Sequence, residues 1–239
     1  MPTAYCVLML KAIIFDCDGV IADSEPLHFA ALQRVLAEEG IALTEETYYR
    51  EYLAFDDRGC FSKAFHDYGQ PLTDDKLRQL IARKAAQLEP VMRTHLRIFP
   101  GVAEFIRRAS AKYSLAVASG ALRHEIALIL QHAGVRECFA TVVSAEDVMR
   151  GKPDPEAFKK AYAALSALNT DGIATHECLV IEDSLHGVEA GKLAGMPVLA
   201  VTNSYPRERL QAADAVIDSF ADLTPDDVER LIANVTSDK

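Results

Sequence analysis

Short runs of apolar residues alternate along this chain with longer segments of helical periodicity. Six of the runs predict β-strands: residues 7–15, 114–118, 140–143, 178–181, 197–201 and 215–217. A continuous apolar run is typical of a strand covered on both faces, and strands separated by helices form a parallel sheet. The pattern therefore predicts an α/β fold, with a Rossmann-like parallel sheet and helices on both of its faces.

Residues that begin helices stand between the predicted strands. Asp154 precedes Pro155 and Thr224 precedes Pro225, so each pair supplies an N-cap residue and a proline in the first turn. Apolar side chains recur at helical spacing over residues 155–167, which indicates one buried helix face. These signals fit helical connections between parallel strands.

One long stretch interrupts the alternation. Between residues 26 and 97 no apolar run resembles a strand, and four helical segments fill the interval: 26–39, 45–53, 58–68 and 74–89. We therefore expect an α/β core domain made of residues 1–25 and 97–239, into which residues 26–96 insert a helical domain.

Composition and charge narrow the classes of function. Half of the 239 residues are apolar, which suffices for a sizeable buried core. The net charge of -10 argues against binding to nucleic acid or to an anionic membrane, because both need a basic face. No window reaches the roughly 18 apolar residues of a membrane span, and the five cysteines form no CxxC pair. We expect a cytoplasmic protein, a monomer or weak dimer, that binds neither nucleic acid nor membranes.

Chemically capable residues stand at the ends of three predicted strands and before one predicted helix: Asp16, Asp18, Ser119, Glu182, Asp183 and Lys152. The carboxyl ends of parallel strands meet at one edge of the sheet, where ligands bind. We therefore expect several carboxylates, a hydroxyl and an ammonium group to lie close together.

Carboxylates at such close range repel each other unless a cation lies among them. Mg²⁺ prefers one or two carboxylates together with water and a substrate phosphate. Lys152 and Ser119 can then contact the phosphate, Asp16 can act as a covalent nucleophile, and Asp18 can act as acid and base. Phosphoryl transfer requires mainly positioning and charge neutralisation, which these groups supply.

Each of these residues also has an ordinary structural interpretation. The segment 16–19 is typical of a turn, a single Lys152 is most often a solvated surface residue, and Glu182 with Asp183 suits a helix N-terminus. Their occurrence together, each at a strand end or helix start, favours the functional interpretation.

Four motifs resemble a known family. They are FDCDGVIADSE at residues 15–25, ASG at 118–120, GKPDP at 151–155 and IEDS at 181–184. In these motifs, and over nearly its whole length, the chain resembles the haloacid dehalogenase (HAD) superfamily. Within it, the chain resembles the β-phosphoglucomutase-like phosphatases that carry a helical cap.

The resemblance implies Mg²⁺ as cofactor and a small phosphorylated metabolite as substrate. It makes Asp16 the nucleophile and Asp18 the acid/base. The metal ligands that it implies are Asp16, Asp18 through its backbone carbonyl, Glu182 and Asp183. The residues that it places around the transferring phosphoryl group are Ser119, Gly120 and Lys152. Residues 26–96 correspond to the family's mobile cap, with hinges near residues 24–26 and 97–101.

Asp18 separates this chain from the dehalogenase and phosphonatase branches of the family, which lack that residue. A phosphatase and a sugar phosphomutase remain. His28, Arg58 and Lys84 align with residues through which the mutases orient the acid/base and bind their substrate.

Two departures favour hydrolysis over isomerisation. This chain has Ala54 and Ala121 where the mutases have a cap lysine and a second serine. A mutase must retain a bisphosphate intermediate, and fewer phosphate contacts weaken that retention. A phosphatase of sugar phosphates is therefore the preferred hypothesis. A third hypothesis, a non-catalytic binding module that kept the fold, is disfavoured because Asp16, Asp18, Lys152 and Asp183 are all present.

Overall fold

The computed structural model describes residues 10–236, with side chains described as far as residue 233. The strands are β1 (Ala12–Phe15), β2 (Ala22–Asp23), β3 (Arg97–Ile98), β4 (Ser114–Ala118), β5 (Thr141–Val143), β6 (Cys178–Glu182), β7 (Val198–Val201) and β8 (Ala215–Ile217). The α-helices are α1 (Glu25–Glu38), α2 (Glu45–Glu51), α3 (Asp57–Asp67), α4 (Asp74–His95), α5 (Val102–Ser110), α6 (Arg123–Ala133), α7 (Glu156–Leu168), α8 (Leu185–Leu193) and α9 (Pro225–Thr236). Within the described range, no helix combines the length and the apolar character needed to cross a membrane.

Six strands form one parallel sheet in the order β5-β4-β1-β6-β7-β8. Each coincides with one of the six apolar runs, and the α/β prediction is confirmed. β1 begins at Ala12; residues 7–9 of the predicted run lie outside the described part of the chain.

Alternate residues of the central strands face opposite sides of the sheet. Phe15 on β1 belongs to a buried cluster that includes side chains of α5, α6 and α9. Its neighbour Ile14 belongs to a second buried cluster, which includes side chains of α7 and α8. Strands buried on both faces explain why their sequences are continuously apolar.

The helices α1 to α4 build a third buried cluster around residues such as Leu36, Phe61 and Leu80. The far end of α4 leaves this cluster, because Leu88 and Met92 pack with the residues of the first sheet face. The prediction that this helix ends at residue 89 is wrong, since α4 continues through Pro90 to His95. Burial of its last turns outweighs the cost of a proline within a helix.

The two segments that connect the sheet with the helical insert pair with each other as short antiparallel strands. β2 pairs with β3, with Ala22 opposite Ile98 and Asp23 opposite Arg97. The sequence did not predict these strands, because two residues carry no readable periodicity. This pairing holds both connecting segments next to the residues that follow β1.

Candidate active site

The carboxyl edge of the sheet gathers the residues that follow its central strands. Asp16 follows β1, Ser119 follows β4, and Glu182 ends β6. Phe15 lies opposite both Val117 and Ile181 in the sheet, so Asp16 and Glu182 stand at nearly the same level and Ser119 lies one residue beyond it. These side chains, with Lys152, line one cavity between the sheet edge and the helical insert.

Lys152 reaches this edge from the segment before α7. Its Nζ donates to Asp16 Oδ1 at 2.5 Å, to Glu182 Oε1 at 2.6 Å and to the Ala118 carbonyl at 3.1 Å. Burial acts to lower the pKa of Lys152, but the two carboxylates outweigh it and raise that pKa. The ammonium group is therefore a permanent positive charge at the cavity floor.

The two carboxylates beside Lys152 respond differently to it. Burial raises the pKa of Asp16 to about 8, and Lys152 only partly opposes this. Burial also acts to raise the pKa of Glu182, but Lys152 and backbone N–H donors hold it below its ordinary value. Those donors are the amides of Asp183 and Ser184, both 2.9 Å from Glu182 Oε2. Glu182 is thus a fixed anion, whereas Asp16 needs a further positive charge beside it to be fully ionised at neutral pH.

Three buried carboxylates could hold a cation. One oxygen each from Asp16, Glu182 and Asp183 lies within 4.8 Å of the others. Burial, followed by the charges of Glu182 and Asp16, raises the pKa of Asp183 well above its ordinary range. A hard divalent cation would relieve this repulsion with the oxygen ligands it prefers, so the residues present fit such an ion.

Gly19 lies directly against this carboxylate cluster and leaves no room for a side chain. Its φ is +75°, a left-handed conformation, and a Cβ there would lie 1.9 Å from Asp183 Oδ2. Any side chain at this position would therefore displace a carboxylate of the cluster.

The Asp18 carboxylate is not part of this cluster. It accepts a short hydrogen bond from Ser24 Oγ and lies 3.5 Å from His28 Nε2. Burial acts to raise the pKa of Asp18, but His28 and Ser24 outweigh it and hold that pKa below its ordinary value. Asp18 is therefore ionised in the resting site and is oriented from the helical insert.

His28 also contacts a buried ion pair. Lys84 Nζ lies 2.8 Å from His28 Nδ1 and forms a short salt bridge with Asp57. Burial and the charge of Lys84 act to lower the pKa of His28, whereas Asp18 acts to raise it. Only one proton can lie between two nitrogens 2.8 Å apart, and the Lys84 ammonium, which is also paired with Asp57, supplies it. Nδ1 therefore accepts from Lys84, and the imidazole is neutral in this arrangement.

The loop after β4 supplies a hydroxyl. Ser119 is buried, its amide donates to the Val143 carbonyl at 3.0 Å, and its Oγ accepts from the Ala121 amide at 3.1 Å. Gly120 lines the cavity beside it. A Cβ on Gly120 would lie 3.4 Å from the Cβ of Asp56, so the insert approaches this loop closely.

The residues predicted from the mutase comparison are not all brought together. His28 and Lys84 line the cavity, as do Ala54 and Ala121. Arg58 is exposed on α3 and is not among the residues that line it.

Sequence reasoning missed polar groups that support the site. Ser204 Oγ donates to Asp183 Oδ2, and Asn203 Nδ2 donates to the Gly19 carbonyl at 2.7 Å. Both residues follow β7, so the strand-end argument used elsewhere could have found them. Glu125 in α6 also lines the cavity, and no motif signalled it.

The helical insert also contacts helix α8 of the core. His186 Nδ1 lies 2.8 Å from the Ala54 carbonyl oxygen, and the His186 ring packs edge-on against Phe55 with centroids 5.4 Å apart. Together with Asp56 above Gly120, these contacts bring the segment before α3 down onto the sheet edge.

Comparison with known proteins agrees with this architecture. The family model described as haloacid dehalogenase-like hydrolase matches residues 13–201. The chain belongs to this family, as its four motifs predicted, and its relatives identify it as a phosphohydrolase.

Relatives with assigned names include phosphatases and a mutase. A phosphorylated carbohydrates phosphatase of Thermotoga maritima is 31% identical over 194 residues, which cover 78% of this chain and 82% of the relative. The crystal structure of CbbY from Rhodobacter sphaeroides in complex with phosphate has a TM-score of 0.79 at 25% identity, over 90% of this chain and 96% of that one. β-Phosphoglucomutase from Clostridium difficile has a TM-score of 0.82 over 97% of this chain and 100% of that one, but at 20% identity this likeness shows the fold alone.

Proposed function

We propose that this protein is a Mg²⁺-dependent phosphatase of small phosphorylated metabolites, sugar phosphates among them, that works through an aspartyl-phosphate on Asp16. The observation that carries the proposal is the contact of Lys152 with both Asp16 and Glu182 at the floor of a cavity. A phosphatase named for phosphorylated carbohydrates among the relatives supports the substrate class.

In the first step, an Asp16 carboxylate oxygen attacks the phosphorus of the ester. The new bond joins that oxygen to phosphorus, and the bond between phosphorus and the leaving alcohol oxygen breaks. Lys152 and Ser119 hold the transferring group, and Asp18 gives a proton to the leaving oxygen. Asp18 takes up this proton when substrate binds, because a phosphate dianion nearby raises the pKa of a carboxylate.

In the second step, a water molecule attacks the phosphorus of the aspartyl-phosphate. Asp18, now ionised, removes a proton from this water, and the bond between Asp16 and phosphorus breaks. Inorganic phosphate and the free Asp16 carboxylate are the products. His28 and Ser24 keep Asp18 oriented in both steps, through the contacts described above.

Asp16, Glu182 and Asp183 would hold the metal ion, with the Asp18 backbone carbonyl as the further ligand that the family resemblance implies. When bound, the ion supplies positive charge that neutralises the transferring phosphoryl group. Ser204 positions Asp183 for this role by its hydrogen bond.

Residues 26–96 act in this proposal as a cap that excludes water and selects the substrate, with hinges near residues 24–26 and 97–101. Hydrolysis is preferred over isomerisation because Ala54 and Ala121 offer no charge to a second phosphate and Arg58 is exposed outside the cavity lining. The alcohol leaves after the first step, and release of inorganic phosphate after the second step completes turnover.

³¹P NMR with a panel of sugar phosphates and Mg²⁺, with and without a sugar bisphosphate, tests this function. We expect the ester signal to be replaced by inorganic phosphate. Migration of phosphate to another carbon would show a mutase instead, and no change with any ester would refute phosphoryl transfer.

A further inference from the structure

Building on the proposed phosphatase function, we infer that the enzyme selects monophosphates whose leaving alcohol carries hydroxyl groups and no second negative charge. The cap side of the cavity, in particular Asp57 together with Glu125 from the core, enforces this selection. Esters that carry a carboxylate or a second phosphate on the leaving group are poor substrates.

The positive charges on the cap side are already neutralised. Among the described cap residues that line the cavity, only Lys84 and His28 are basic. Lys84 forms a buried salt bridge with Asp57, and His28 faces Asp18. Because the His28 imidazole is neutral, a negatively charged leaving group would have to displace Asp57 to obtain a positive partner.

The remaining ionisable groups on the cap side are acidic. Glu25 accepts a short hydrogen bond from the Tyr48 hydroxyl, and Asp56 accepts from the Gly59 amide at 2.8 Å. Both line the cavity. An anion beside either carboxylate would meet a like charge in a partly desolvated space, which disfavours binding.

Glu125 supplies an independent observation that points to a hydroxyl ligand. Its side chain is 1% exposed and lines the cavity from α6. Glu125 Oε2 accepts from the Leu122 amide at 2.9 Å, whereas Oε1 has no hydrogen-bond partner within the part of the chain that is described. A buried polar atom without a partner is costly, so Oε1 is an available position for a ligand.

A hydroxyl group satisfies this atom whether Glu125 is ionised or neutral, whereas an anion can pair only with the neutral form. Burial raises the pKa of Glu125, so both its ionised and its neutral form must be considered. A hydroxyl donates to a carboxylate and also accepts from a carboxylic acid, whereas a phosphate dianion or carboxylate can only accept. Sites that hydrogen-bond a substrate hydroxyl discriminate strongly against analogues that lack it.

Matched substrate pairs test the inference. Glycerol 3-phosphate and 3-phosphoglycerate differ by a hydroxymethyl group against a carboxylate, and glucose 6-phosphate and 6-phosphogluconate by a neutral sugar against a carboxylate-bearing one. We expect kcat/KM to be at least about tenfold higher for the neutral member of each pair. Equal values, or a preference for the anionic members, would overturn the inference.

An aryl phosphate assayed in parallel separates this inference from the proposed function. Hydrolysis of the aryl phosphate that Asp16→Asn abolishes, combined with a preference for anionic esters, would refute the inference and leave the phosphatase assignment standing. If no phosphomonoester is hydrolysed, both fail.

Two substitutions test which side chains cause the selection among esters, and the first is in the cap. Asp57→Asn leaves Lys84 without its carboxylate, and we expect kcat/KM for 3-phosphoglycerate to rise severalfold relative to glycerol 3-phosphate. Glu51→Gln is the matched control, because Glu51 is an exposed cap carboxylate paired with Arg50 and Lys63 outside the cavity lining. An unchanged ratio in Asp57→Asn, or the same shift in Glu51→Gln, would overturn the role of Asp57.

Glu125→Gln is the second variant, and it decides the question if Asp57→Asn does not fold. A glutamine can keep the hydrogen bond from Leu122 through its carbonyl and present its amide N–H groups to the cavity. The substrate ratio should therefore move in the same direction, towards the anionic ester. A ratio that stays constant would contradict the assignment of Glu125.

Discussion

The floor and the roof of the cavity are built on different principles. At the floor, strand ends in register place Asp16 and Glu182 at one level, with Ser119 one residue beyond it, and Lys152 connects Asp16 with Glu182. At the roof, helices of the insert present Asp57 and Lys84 as a closed ion pair. The floor has more carboxylates than its one lysine neutralises, so it fits a cation, whereas the roof pairs its own lysine with one carboxylate.

This difference separates the chemistry from the selection of substrate. The parallel sheet brings the reactive groups together whatever the insert contains, so the floor can be shared across a family. The roof depends on individual side chains of helices that could be exchanged without moving the sheet. Substitutions at the floor should therefore abolish turnover, and substitutions at the roof should change which ester is preferred.

The largest effect is expected for Asp16→Asn. An amide is a poor nucleophile and a poor metal ligand, so turnover of every ester should fall by on the order of 10⁴-fold or more. Steady-state phosphate release measures the loss. Turnover within tenfold of the parent protein would remove Asp16 from the mechanism.

Removal of divalent cations should have the next largest effect. Exhaustive chelation should abolish turnover, and Mg²⁺ should restore it. Mg²⁺ should also raise the melting temperature, because an ion at 100 times its Kd stabilises the folded state by about 2.7 kcal/mol.

Asp183→Asn is the variant that sharpens the metal prediction, because it removes one carboxylate of the cluster. The melting shift with Mg²⁺ should shrink or disappear in this variant. A shift of the same size as in the parent protein would place the ion elsewhere.

A smaller effect is expected for Ser24→Ala. This change removes the hydroxyl that donates to Asp18 from the residue before α1. Loss of a hydrogen bond to a charged group should lower kcat about tenfold and shift the pH profile, because the pKa of Asp18 rises. A drop in stability with an unchanged pH profile would show a merely structural role.

The smallest effects are expected when the N-cap residue of either of two helices is replaced. Thr73 caps α4 in the insert, with Oγ1 accepting from the Lys76 amide at 3.3 Å, and Ser184 caps α8 in the core. Replacing either by alanine should lower the free energy of unfolding by about 1 kcal/mol. Only Ser184→Ala should also lower turnover, because Ser184 Oγ donates to Glu182 at 3.0 Å. Equal losses of turnover would contradict the division between floor and roof.

The sequence predicted the floor well because its signals are local. Apolar runs located the strands, and Asp16, Ser119 and Glu182 follow from where the runs end. Lys152 was added by its place before a predicted helix that could reach the same edge. Periodicity also indicated the four helices of the insert, although the predicted end of α4, just before Pro90, was too early.

The roof could not be predicted in the same way. The pairing of Asp57 with Lys84 and the unpartnered oxygen of Glu125 depend on how three helices pack, which no local pattern encodes. The alignment that suggested Arg58 as a substrate ligand fixed its position along α3 but not the direction of its side chain. These are tertiary properties, and they carry the selectivity.

The proposed nucleophilic role of Asp16 can be tested most directly by trapping the covalent intermediate. The enzyme is mixed with Mg²⁺ and a rapidly hydrolysed ester, quenched in acid, and analysed by intact mass and peptide mapping. We predict one added phosphoryl group on the peptide that contains Asp16, and none in the Asp16→Asn variant. A phosphoryl group on another residue, or turnover with no phosphoenzyme under conditions in which its hydrolysis is rate-limiting, would contradict the account.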